Sequence, residues 1–363
     1  MAVVHDWLTG MRGGESALEH ILRLVPDSQL FALMHTSGTV SAEIESHQTR
    51  HTFVQHLPFS KTRYRNYLPI FPAAIEQLDL DDYDIVISTS HCAAKAAIPA
   101  GKARHLCYCF TPMRYAWDQF EAYFGVEQVG RWQSFLYRKA MDRLAKWDMA
   151  TASRVDRYVA ISQYVASRID RYYNREADVI YPPVDTSFYC PDGSKSRGYF
   201  VVVSALVPYK RVDVAIDACR LAGVELRVVG TGPEAKRLQS LATSNVTFMS
   251  HQTKEELREL YRGSQGFLLT GEEDFGIAPL EAQACGRPVI ALGRGGALET
   301  VDDGRTGLLV GSADAQSFAE AIQLATQKEF EPERLHAAAS RFSPTVFYKN
   351  MRTALEALVV HHP

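Results

Sequence analysis

The chain has little of what marks secreted, membrane-spanning or metal-binding proteins. Its six cysteines, in 363 residues, show no metal-ligand spacing, which favours reduced and mostly buried thiols in the cytosol. No apolar run approaches the ~20 residues that span a bilayer. No basic segment precedes the first apolar residues, so we expect no signal peptide and a cytoplasmic protein.

An excess of charge of one sign is also missing. The net charge of −3 gives no sign of the basic surface typical of nucleic-acid-binding proteins, so we expect no nucleic-acid partner. No Asp-x-Asp pair follows a predicted strand, and we expect neither a metal ion nor a cofactor. No complete G-x-G-x-x-G follows the first predicted strand, which argues against a dinucleotide-binding dehydrogenase.

What the chain does contain is an alternation of apolar strands and amphipathic helices. Its 363 residues suffice for two domains with separate cores. Residues 266–301 show the pattern most clearly, as strand, polar loop, helix, strand, glycine loop and helix start. In open α/β sheets, the loops at the carboxyl ends of strands bind ligands. The pattern therefore predicts a ligand site in the two loops of this stretch.

The first of these loops has chemistry that suits a nucleotide sugar. Glu273 lies on the loop and Glu281 about one turn into the next helix, so both carboxylates can accept hydrogen bonds from sugar diols. Between them, Phe275, Gly276 and Ile277 offer backbone N–H groups at a helix N-terminus, which favours a phosphate. The alternative is that both glutamates are surface carboxylates at a helix start, which is the commoner fate of such residues.

Two short motifs resemble a known family. Residues 273–282 (EDFGIAPLEA) look like the signature of glycosyltransferase family 4, and residues 295–301 (GGALETV) match the next motif of that family. Within the family, the chain is similar to the WbaZ-like bacterial polysaccharide mannosyltransferases. The resemblance implies a retaining enzyme with the GT-B fold, in which two Rossmann-like α/β domains face each other and a C-terminal helix crosses back to the first.

A Pro/Gly/Ser-rich segment that begins at residue 181 suggests the domain boundary. With the resemblance, it predicts an acceptor-binding domain over residues 1–190, which the crossing helix at 344–363 completes. The nucleotide-sugar-binding domain would cover residues 191–343.

The resemblance places most of the donor site in the second domain. Glu273 would bind hydroxyl groups of the donor sugar, Glu281 would bind the ribose diol, and Lys210 would contact the diphosphate and stabilise the charge that develops on it. The other donor-binding candidates of this domain are Phe275, Gly276, Ile277, Gly230, Gly232, Ser250, Arg211 and Arg294.

In the first domain, the resemblance points to the glycine loop of Gly13 and Gly14, which leads into a helix and would approach the donor. His91, which follows a buried strand, is either a ligand contact with a catalytic role or simply a helix-start residue. Phe110 occupies a donor-site position. The candidates for acceptor binding are Arg114 and Tyr115.

Three positions depart from the family pattern. Phe110 replaces a histidine that reaches the donor sugar, and a phenyl ring cannot form its hydrogen bond. Ala205 replaces an arginine that clamps the diphosphate, and Ser250 stands at or near a usual glycine. Either other groups take over these roles, or the chain is a weakened partner of an active transferase.

Two segments of the first half have an open interpretation. Residues 57–65 (LPFSKTRYR) favour a solvated loop, with a membrane-facing or acceptor-facing segment as the alternative. Residues 128–157 predict one long helix or two, with many basic residues. Such a helix is typical of a solvated surface, and the alternative is a helix that docks on anionic lipid. We also expect a strand at 52–54 and a strand at 157–161 that closes the first sheet.

The function implied by the resemblance is that of a metal-independent retaining hexosyltransferase. Its substrates would be a nucleotide sugar, with GDP-mannose as the expected donor of mannose, and a glycan or lipid-linked saccharide in cell-surface polysaccharide synthesis. A nucleotide-sugar epimerase of the same fold is the alternative, and it would release free sugar without an acceptor. Paired carboxylates also suit a hydrolase, but Glu273 and Glu281 lie in a phosphate-binding setting.

Overall fold

The computed structural model describes residues 1–360, with only the backbone of Ala122, Gln128 and Val360. The chain forms two compact units. Unit 1 is Met1–Pro182 together with the segment from Phe347 onward, and unit 2 is Pro183–Val346. In both, strands alternate with helical connections, which is the arrangement that parallel pairing requires. No helix within residues 1–360 is long and apolar enough to cross a membrane.

Unit 1 is built on a seven-stranded parallel sheet. Its strands are β1 (Ala2–His5), β2 (Gln29–Ala32), β3 (Thr49–His51), β4 (Ile85–Ser90), β5 (Arg104–Cys109), β6 (Arg157–Ala160) and β7 (Ala177–Val179). Their order across the sheet is β3-β2-β1-β4-β5-β6-β7. All four residues of β1 are buried, as expected for a central strand covered on both faces.

Helices cover both faces of this sheet. They are α1 (Gly13–Leu24), α2 (Ala42–Glu45), α3 (Ser60–Arg63), α4 (Phe71–Ile75), α5 (Arg114–Trp117), α6 (Phe120–Phe124), α7 (Val126–Val129), α8 (Arg131–Ala150) and α9 (Gln163–Tyr173). The helix predicted after the first glycine loop is confirmed as α1, which buries Leu18, Ile21 and Leu22 against the sheet.

The strand predicted at residues 52–54 is wrong. These residues enter a 3₁₀ turn, Phe53–His56, and the strand β3 ends before them. Thr52 provides the physical reason. Its hydroxyl donates a hydrogen bond to the carbonyl of Leu33 (2.8 Å) and accepts one from the N–H of Val54 (3.2 Å), which turns the chain out of the sheet.

Three further predictions for unit 1 need correction. Residues 157–160 form β6, but this strand does not close the sheet, because the short strand β7 pairs with it in parallel. Residues 57–65 are not a plain loop, since they contain α3 and continue into a 3₁₀ turn, Tyr64–Ile70. The helix predicted over 128–157 is interrupted at Gly130, whose φ of 82° lies outside the helical range, and α8 ends at Ala150.

Unit 2 contains a six-stranded parallel sheet. Its strands are β8 (Tyr199–Val203), β9 (Glu225–Val229), β10 (Val246–Met249), β11 (Ser264–Leu269), β12 (Val289–Leu292) and β13 (Gly307–Val310), in the order β10-β9-β8-β11-β12-β13. Its helices are α10 (Val212–Ala222), α11 (Ala235–Leu241), α12 (Lys254–Gly263), α13 (Ile277–Ala284), α14 (Ala297–Thr300), α15 (Ala315–Gln327) and α16 (Pro332–Ala339).

Alternate residues of β8 belong to different parts of the core of unit 2. Phe200 and Val202 pack with α10 and α15, whereas Tyr199 and Val201 pack in the cluster that contains Tyr261 and α13. Side chains of a strand point alternately to opposite faces, so the sheet is covered on both sides.

The C-terminal helix α17 (Pro344–Val360) begins in unit 2 and packs on unit 1. Phe347 is buried and makes an edge contact with Tyr108 (5.8 Å between ring centroids), and the Tyr348 hydroxyl lies 2.7 Å from Nδ1 of His20. The crossing helix predicted for residues 344–363 is therefore present as far as Val360, and residues 361–363 lie outside the described part of the chain.

Each sheet has a point where the direction of its connections reverses. β1 pairs with both β2 and β4, and β8 pairs with both β9 and β11. In open α/β sheets, a crevice forms outside the carboxyl ends of the two strands at such a switch point. The residues that follow β1 and β4 in unit 1, and those that follow β8 and β11 in unit 2, therefore occupy equivalent positions.

Candidate active site

The switch point of unit 2 holds an ion pair between two predicted site residues. Lys210 follows β8, Glu273 follows β11, and the Lys210 ammonium contacts Oε1 of Glu273. Both side chains are mostly buried, with 15% and 12% of their surface exposed. The pair places a cation and a carboxylate in the crevice where ligands bind in such sheets.

Local packing brings the two loops together. The hydroxyl of Thr270, at the end of β11, donates to the backbone carbonyls of Lys210 (3.2 Å) and Arg211 (2.7 Å). Gly271 allows this approach, because a Cβ there would lie 2.4 Å from the carbonyl oxygen of Tyr209. Neither Thr270 nor Gly271 was predicted to determine the site, although both follow directly on a buried strand.

The two glycine loops of the predicted motif pack backbone against backbone. The N–H of Gly296 donates to the carbonyl of Glu273 (2.8 Å), and a Cβ on Gly296 would lie 2.5 Å from Cα of Phe275. The ring of Phe275 is buried against Phe342 (5.5 Å). The second glycine motif therefore fixes the loop that carries Glu273.

Helix α13 begins directly after this loop. Gly276 has a φ of 94°, a conformation that favours glycine, and no side chain caps the helix. Within residues 1–360, no hydrogen bond joins the backbone N–H of Gly276 or Ile277 to another group. N–H groups at the start of a helix attract anions, so this end of α13 can accept a phosphate.

Glu281 lies in the second turn of α13 and has different partners from Glu273. The Tyr261 hydroxyl donates to its Oε2 (2.8 Å), and the Tyr189 hydroxyl also hydrogen-bonds to its carboxylate. Burial raises the pKa of Glu281 to about 7, against the opposing effect of the two hydroxyl donors. Neither tyrosine was identified from the sequence, because Tyr261 lies 20 residues and Tyr189 lies 92 residues before Glu281 in the chain.

The remaining candidate residues of unit 2 are exposed but differ in their polar groups and in their ion pairs. Arg211 is exposed and pairs with Asp213 (3.3 Å), whereas Arg294 is exposed and forms no ion pair with another residue of the range 1–360. Ala205 is exposed on the loop after β8 and offers no polar side-chain atom. Arg294 is therefore the available guanidinium on a loop next to the one that carries Glu273.

Gly230 and Gly232 allow the loop after β9 to pack on the loop after β8. A Cβ on Gly230 would lie 1.9 Å from the carbonyl oxygen of Ser204, and one on Gly232 would lie 2.3 Å from that of Leu206. Ser250 follows the edge strand β10 and is exposed. These glycines are required by backbone packing whether or not they also approach a nucleotide.

The switch point of unit 1 contains a second pair of polar residues. Asp6 follows β1, and its buried carboxylate accepts hydrogen bonds from the backbone N–H groups of residues 91–94, at 2.6–2.9 Å. The same carboxylate lies 3.1 Å from Nδ1 of His91, which follows β4. Asp6 therefore holds both the backbone and the imidazole of His91.

His91 is a positioned side chain rather than a simple helix-start residue. Its ring is 30% exposed and makes an edge contact with Trp7 (4.5 Å between ring centroids). Burial lowers the pKa of His91, which favours the neutral imidazole. With a proton on Nδ1 facing Asp6, Nε2 is left as a hydrogen-bond acceptor. Asp6 was not predicted from the sequence, although a carboxylate directly after the first buried strand is a usable signal.

Phe110 lies between the glycine loop and His91. Its ring is 3.4 Å from where a Cβ of Gly14 would be, and its centroid is 6.3 Å from that of His91. Gly13 is the first residue of α1 and is exposed. The structure thus brings Gly14, Phe110 and His91 together in unit 1, although they come from three different segments of the sequence.

Arg114 and Tyr115 begin the short helix α5. The Tyr115 hydroxyl lies 2.7 Å from Sγ of Cys92, so Tyr115 packs against the residue that follows His91. The charge of Arg114 is among those that lower the pKa of His91, after burial as the main cause. No cluster of metal-ligating side chains was found among residues 1–360.

Family models match nearly all of the chain. The model described as Glycosyltransferase Family 4 matches residues 29–188, and the model described as Glycosyl transferases group 1 matches residues 192–342. The chain belongs to glycosyltransferase family 4. This confirms the family predicted from the motifs of residues 273–282 and 295–301, whereas the WbaZ-like mannosyltransferase subgroup stays a prediction.

Curated relatives match this family 4 chain over part of its length. A D-inositol 3-phosphate glycosyltransferase of Mycobacteroides abscessus is 36% identical over 168 residues, which are 40% of this chain and 38% of the relative. An uncharacterized glycosyltransferase of Methanocaldococcus jannaschii is 28% identical over 172 residues, which are 46% and 48% of the two chains. The chain therefore spans less than half the length of these relatives.

Solved structures match over the whole chain. Anabaena HepE in complex with UDP-glucose has a TM-score of 0.73 at 18% identity, covering 98% of this chain and 99% of that one. Sucrose-phosphate synthase from Thermosynechococcus elongatus has a TM-score of 0.75 at 16% identity, with both chains fully covered. At such identities the likeness concerns the fold, and it confirms the predicted GT-B fold.

Proposed function

We propose that this family 4 glycosyltransferase transfers a sugar from a nucleotide sugar to a hydroxyl group of an acceptor, with retention at the anomeric carbon. The observation that carries the proposal is the arrangement in unit 2. Lys210, Glu273 and the N-terminal N–H groups of α13 lie at one switch point, and Glu281 lies one turn further along the same helix. These groups match a ligand with a diphosphate between two sets of hydroxyl groups.

Each group has a role that follows from its chemistry. The bond between the anomeric carbon and the diphosphate oxygen breaks, so negative charge grows on the departing nucleoside diphosphate. The ammonium of Lys210 and the N–H groups of Gly276 and Ile277 would stabilise that charge, and they are already oriented before the donor binds. Glu273 would accept hydrogen bonds from sugar hydroxyls, and Glu281 from the ribose diol.

The ion pair has a consequence for donor binding. Lys210 and Glu273 neutralise each other in the structure, so an incoming diphosphate would compete with Glu273 for the ammonium. Glu273 is then released to face the donor sugar. The metal-independent mechanism predicted from the sequence fits this set of groups, since Lys210, Arg294 and the start of α13 are positive.

For the finer identity of the substrates we propose GDP-mannose as donor and a glycan or lipid-linked saccharide of a cell-surface polysaccharide as acceptor. The support is the resemblance of residues 273–282 and 295–301 to the WbaZ-like mannosyltransferases. UDP-glucose is the rival donor, because HepE binds UDP and UDP-glucose in structures of the same fold. The place of action would be the cytoplasm, at the inner face of the plasma membrane.

Helix α8 supports contact with that membrane. One stripe of its surface carries Trp132, Phe135, Leu136, Lys139, Arg143 and Lys146, which we call the α8 stripe. All six side chains are exposed, and Trp132 is 82% exposed. At about 100° per residue the stripe lies opposite the buried face of Met141 and Leu144. Aromatic and basic residues on one exposed face fit an anionic lipid surface.

A thermal-shift screen tests the proposal. We expect one of GDP, UDP, ADP or their sugars to raise the melting temperature of the protein, because a ligand that binds only the folded state stabilises it. Incubation of that nucleotide sugar with candidate acceptors, followed by NMR of the anomeric proton, should show a product with the configuration of the donor. Release of free sugar without any acceptor would favour the epimerase instead. The absence of any stabilising nucleotide would overturn the donor site.

A further inference from the structure

Lys210 projects from a short and strained piece of backbone. It is the last residue of a 3₁₀ turn, Pro208–Lys210, and the next residue, Arg211, is the N-cap of α10. Arg211 has a φ of 51° and a ψ of 40°, the left-handed conformation that residues other than glycine seldom adopt. Such a conformation persists only where surrounding contacts stabilise it. The direction in which the Lys210 side chain leaves the backbone therefore depends on the contacts of this bend.

Thr270, at the end of β11, supplies a buried contact to the bend. Its side chain is 2% exposed, and its hydroxyl oxygen lies 2.7 Å from the carbonyl oxygen of Arg211 and 3.2 Å from that of Lys210. A hydroxyl has one proton, so it donates chiefly to the nearer oxygen and shares the proton with the farther one. The Arg211 oxygen also accepts the N–H of Val214, in the first turn of α10 (3.0 Å). One hydroxyl thus joins β11, the end of the turn and the start of α10.

Gly271 brings the backbone after β11 against the same turn. A Cβ at this position would lie 2.4 Å from the carbonyl oxygen of Tyr209 and 2.8 Å from Cα of Lys210. Because β11 pairs in parallel with β8, the loops that follow the two strands begin side by side. Thr270 and Gly271 are the first two residues after β11, so they fix the loop after β8 from the neighbouring strand.

The segment after β11 therefore contacts Lys210 at both ends of the residue. Thr270 contacts its carbonyl oxygen, and Glu273 contacts its ammonium. A bound diphosphate would affect these two contacts differently. In the proposed function it competes with Glu273 for the ammonium, whereas the Thr270 hydroxyl is bonded to backbone and stays in place. The backbone that Thr270 fixes then directs the ammonium toward the diphosphate.

We propose that Thr270 is a positioning residue for the donor diphosphate, which acts through Lys210 without touching the ligand. The inference rests on the proposed transferase function and adds a residue to its donor site. The hydroxyl stabilises the left-handed bend at Arg211, so the ammonium is oriented before the donor binds and needs no reorganisation as charge develops. A side chain of the same shape without the hydroxyl leaves the bend strained and removes a donor from two buried carbonyl oxygens.

A double-mutant cycle on nucleotide binding tests whether Thr270 acts through Lys210. Calorimetry with GDP and with UDP measures the dissociation constant of the wild type, Thr270→Val, Lys210→Ala and the double variant. For the nucleotide that the wild type binds, we expect Thr270→Val to weaken binding about tenfold and Thr270→Ser, which keeps the hydroxyl, less than about twofold. In the Lys210→Ala background, Thr270→Val should cause no further loss, because the group that it positions is gone. An equal loss in both backgrounds overturns the proposal.

Thr306 provides a matched control for general destabilisation. It is 4% exposed and precedes β13, at the opposite edge of the sheet of unit 2, where its hydroxyl accepts a hydrogen bond from the N–H of Asp302 (2.8 Å). We expect Thr306→Val to lower the melting temperature as Thr270→Val does, and to leave nucleotide affinity unchanged. If Thr270→Val does not fold, Thr270→Ala replaces it in the cycle. The same loss of affinity in Thr306→Val overturns the proposal, since destabilisation alone would then account for it.

Steady-state kinetics separate the proposed role from a purely structural one. With the sugar of the nucleotide that stabilises the protein, Thr270→Val should lower kcat about tenfold and leave KM for the acceptor unchanged, and Thr270→Ser should retain the kcat of the wild type. A kcat in Thr270→Val equal to that of the wild type overturns the inference while the donor site stands. A wild-type protein that no nucleotide stabilises fails the proposed function itself.

Discussion

Lys210 and Glu273 form an ion pair across the switch point of unit 2, although 63 residues separate them in the sequence. The equivalent point of unit 1 is occupied by Asp6 and His91, which are also in contact. Each sheet therefore places a charged or titratable pair at the carboxyl ends of its first and fourth strands. In both pairs one member fixes the other before any ligand arrives, which is the preorganisation that electrostatic catalysis needs.

The Lys210–Glu273 pair predicts opposite effects for its two members. Lys210→Ala should weaken binding of the preferred nucleoside diphosphate roughly 10- to 100-fold, because it removes a charged hydrogen-bond donor. Glu273→Gln should keep that affinity or increase it, since the competing carboxylate is gone, while transfer is lost. Isothermal titration calorimetry measures the first effect and an activity assay the second.

Arg220→Gln is a suitable control for these variants. Arg220 is an exposed residue of α10 that pairs with Asp217 (3.1 Å) on the same helix, so its loss should change neither measurement. Unchanged nucleotide affinity in Lys210→Ala would contradict its role at the diphosphate. Retained turnover in Glu273→Gln would remove that residue from the donor sugar.

Glu281 predicts a pH dependence of nucleotide binding. Burial raises its pKa to about 7, so the carboxyl is mostly neutral at pH 6 and accepts diol hydrogen bonds poorly. We expect the affinity for the nucleotide to rise with pH, by up to about tenfold per pH unit below 7, and to level off above it. Calorimetry at a series of pH values measures this profile.

A rise in pH has the opposite effect on the contribution of the Glu281 carboxyl to the stability of the protein. Between the unfolded value of 4.5 and the folded value of about 7, the folded protein binds the proton more tightly, so this group's contribution to the free energy of unfolding falls as pH rises. Tyr261→Phe removes a hydroxyl that lowers the pKa, and should move the binding profile to higher pH. Tyr199→Phe is the control, since its hydroxyl donates to the carbonyl of Leu260. Identical profiles in all three proteins would contradict the assignment.

The sequence predicted unit 2 better than unit 1 for a physical reason. The predicted succession of strand, loop, helix, strand, loop and helix start over residues 266–301 is present as β11, α13, β12 and α14, because glycine or polar loops bound each element. The first half contains short helices between residues 60 and 129, which are too brief to show a helical period. The prediction of a strand at residues 52–54 was wrong because the hydrogen bonds of the Thr52 hydroxyl turn the chain out of the sheet.

The site shows the same division between local and long-range information. The loop before α13 could be predicted because its residues are consecutive. The contact of Lys210 with Glu273 could not, because it depends on β8 and β11 being neighbours. The support that Tyr189 and Tyr261 give Glu281, and that Asp6 gives His91, likewise depends on sheet order rather than on any local pattern.

Phe110 provides a test of whether the chain has reduced activity. Phe110→His introduces the histidine that the family pattern predicts at this position, beside Gly14 and His91. If the native phenyl ring limits catalysis, kcat for transfer should rise, since the imidazole adds a hydrogen-bonding group that phenylalanine lacks. Phe110→Leu controls for the change in packing. A lower kcat in Phe110→His would indicate that His91 or another group already fills the role.

Asp6 should be essential for stability as well as for the position of His91. In Asp6→Asn, an amide NH₂ replaces one acceptor oxygen and faces N–H groups that it cannot pair with. We expect the free energy of unfolding to fall by about 2–4 kcal/mol in urea denaturation, because buried donors lose their acceptor. Asp156→Asn is the control, since that half-exposed carboxylate accepts one backbone N–H, from His105 (2.7 Å), and should cost less. Equal losses would contradict the special role of Asp6.

The α8 stripe predicts binding to anionic membranes. The wild-type protein should float with vesicles of phosphatidylglycerol and phosphatidylcholine, and remain unbound with phosphatidylcholine alone, since the basic residues need a negative surface. Changing Trp132 and Phe135 to alanine together should reduce the bound fraction severalfold, because both exposed rings would enter the interface. Met149→Ala is the matched control, as Met149 is exposed on α8 outside the stripe.

Raised salt should weaken binding, because screening acts on Lys139, Arg143 and Lys146. Wild-type protein that stays in solution with anionic vesicles at low salt would exclude the lipid surface as a partner of α8.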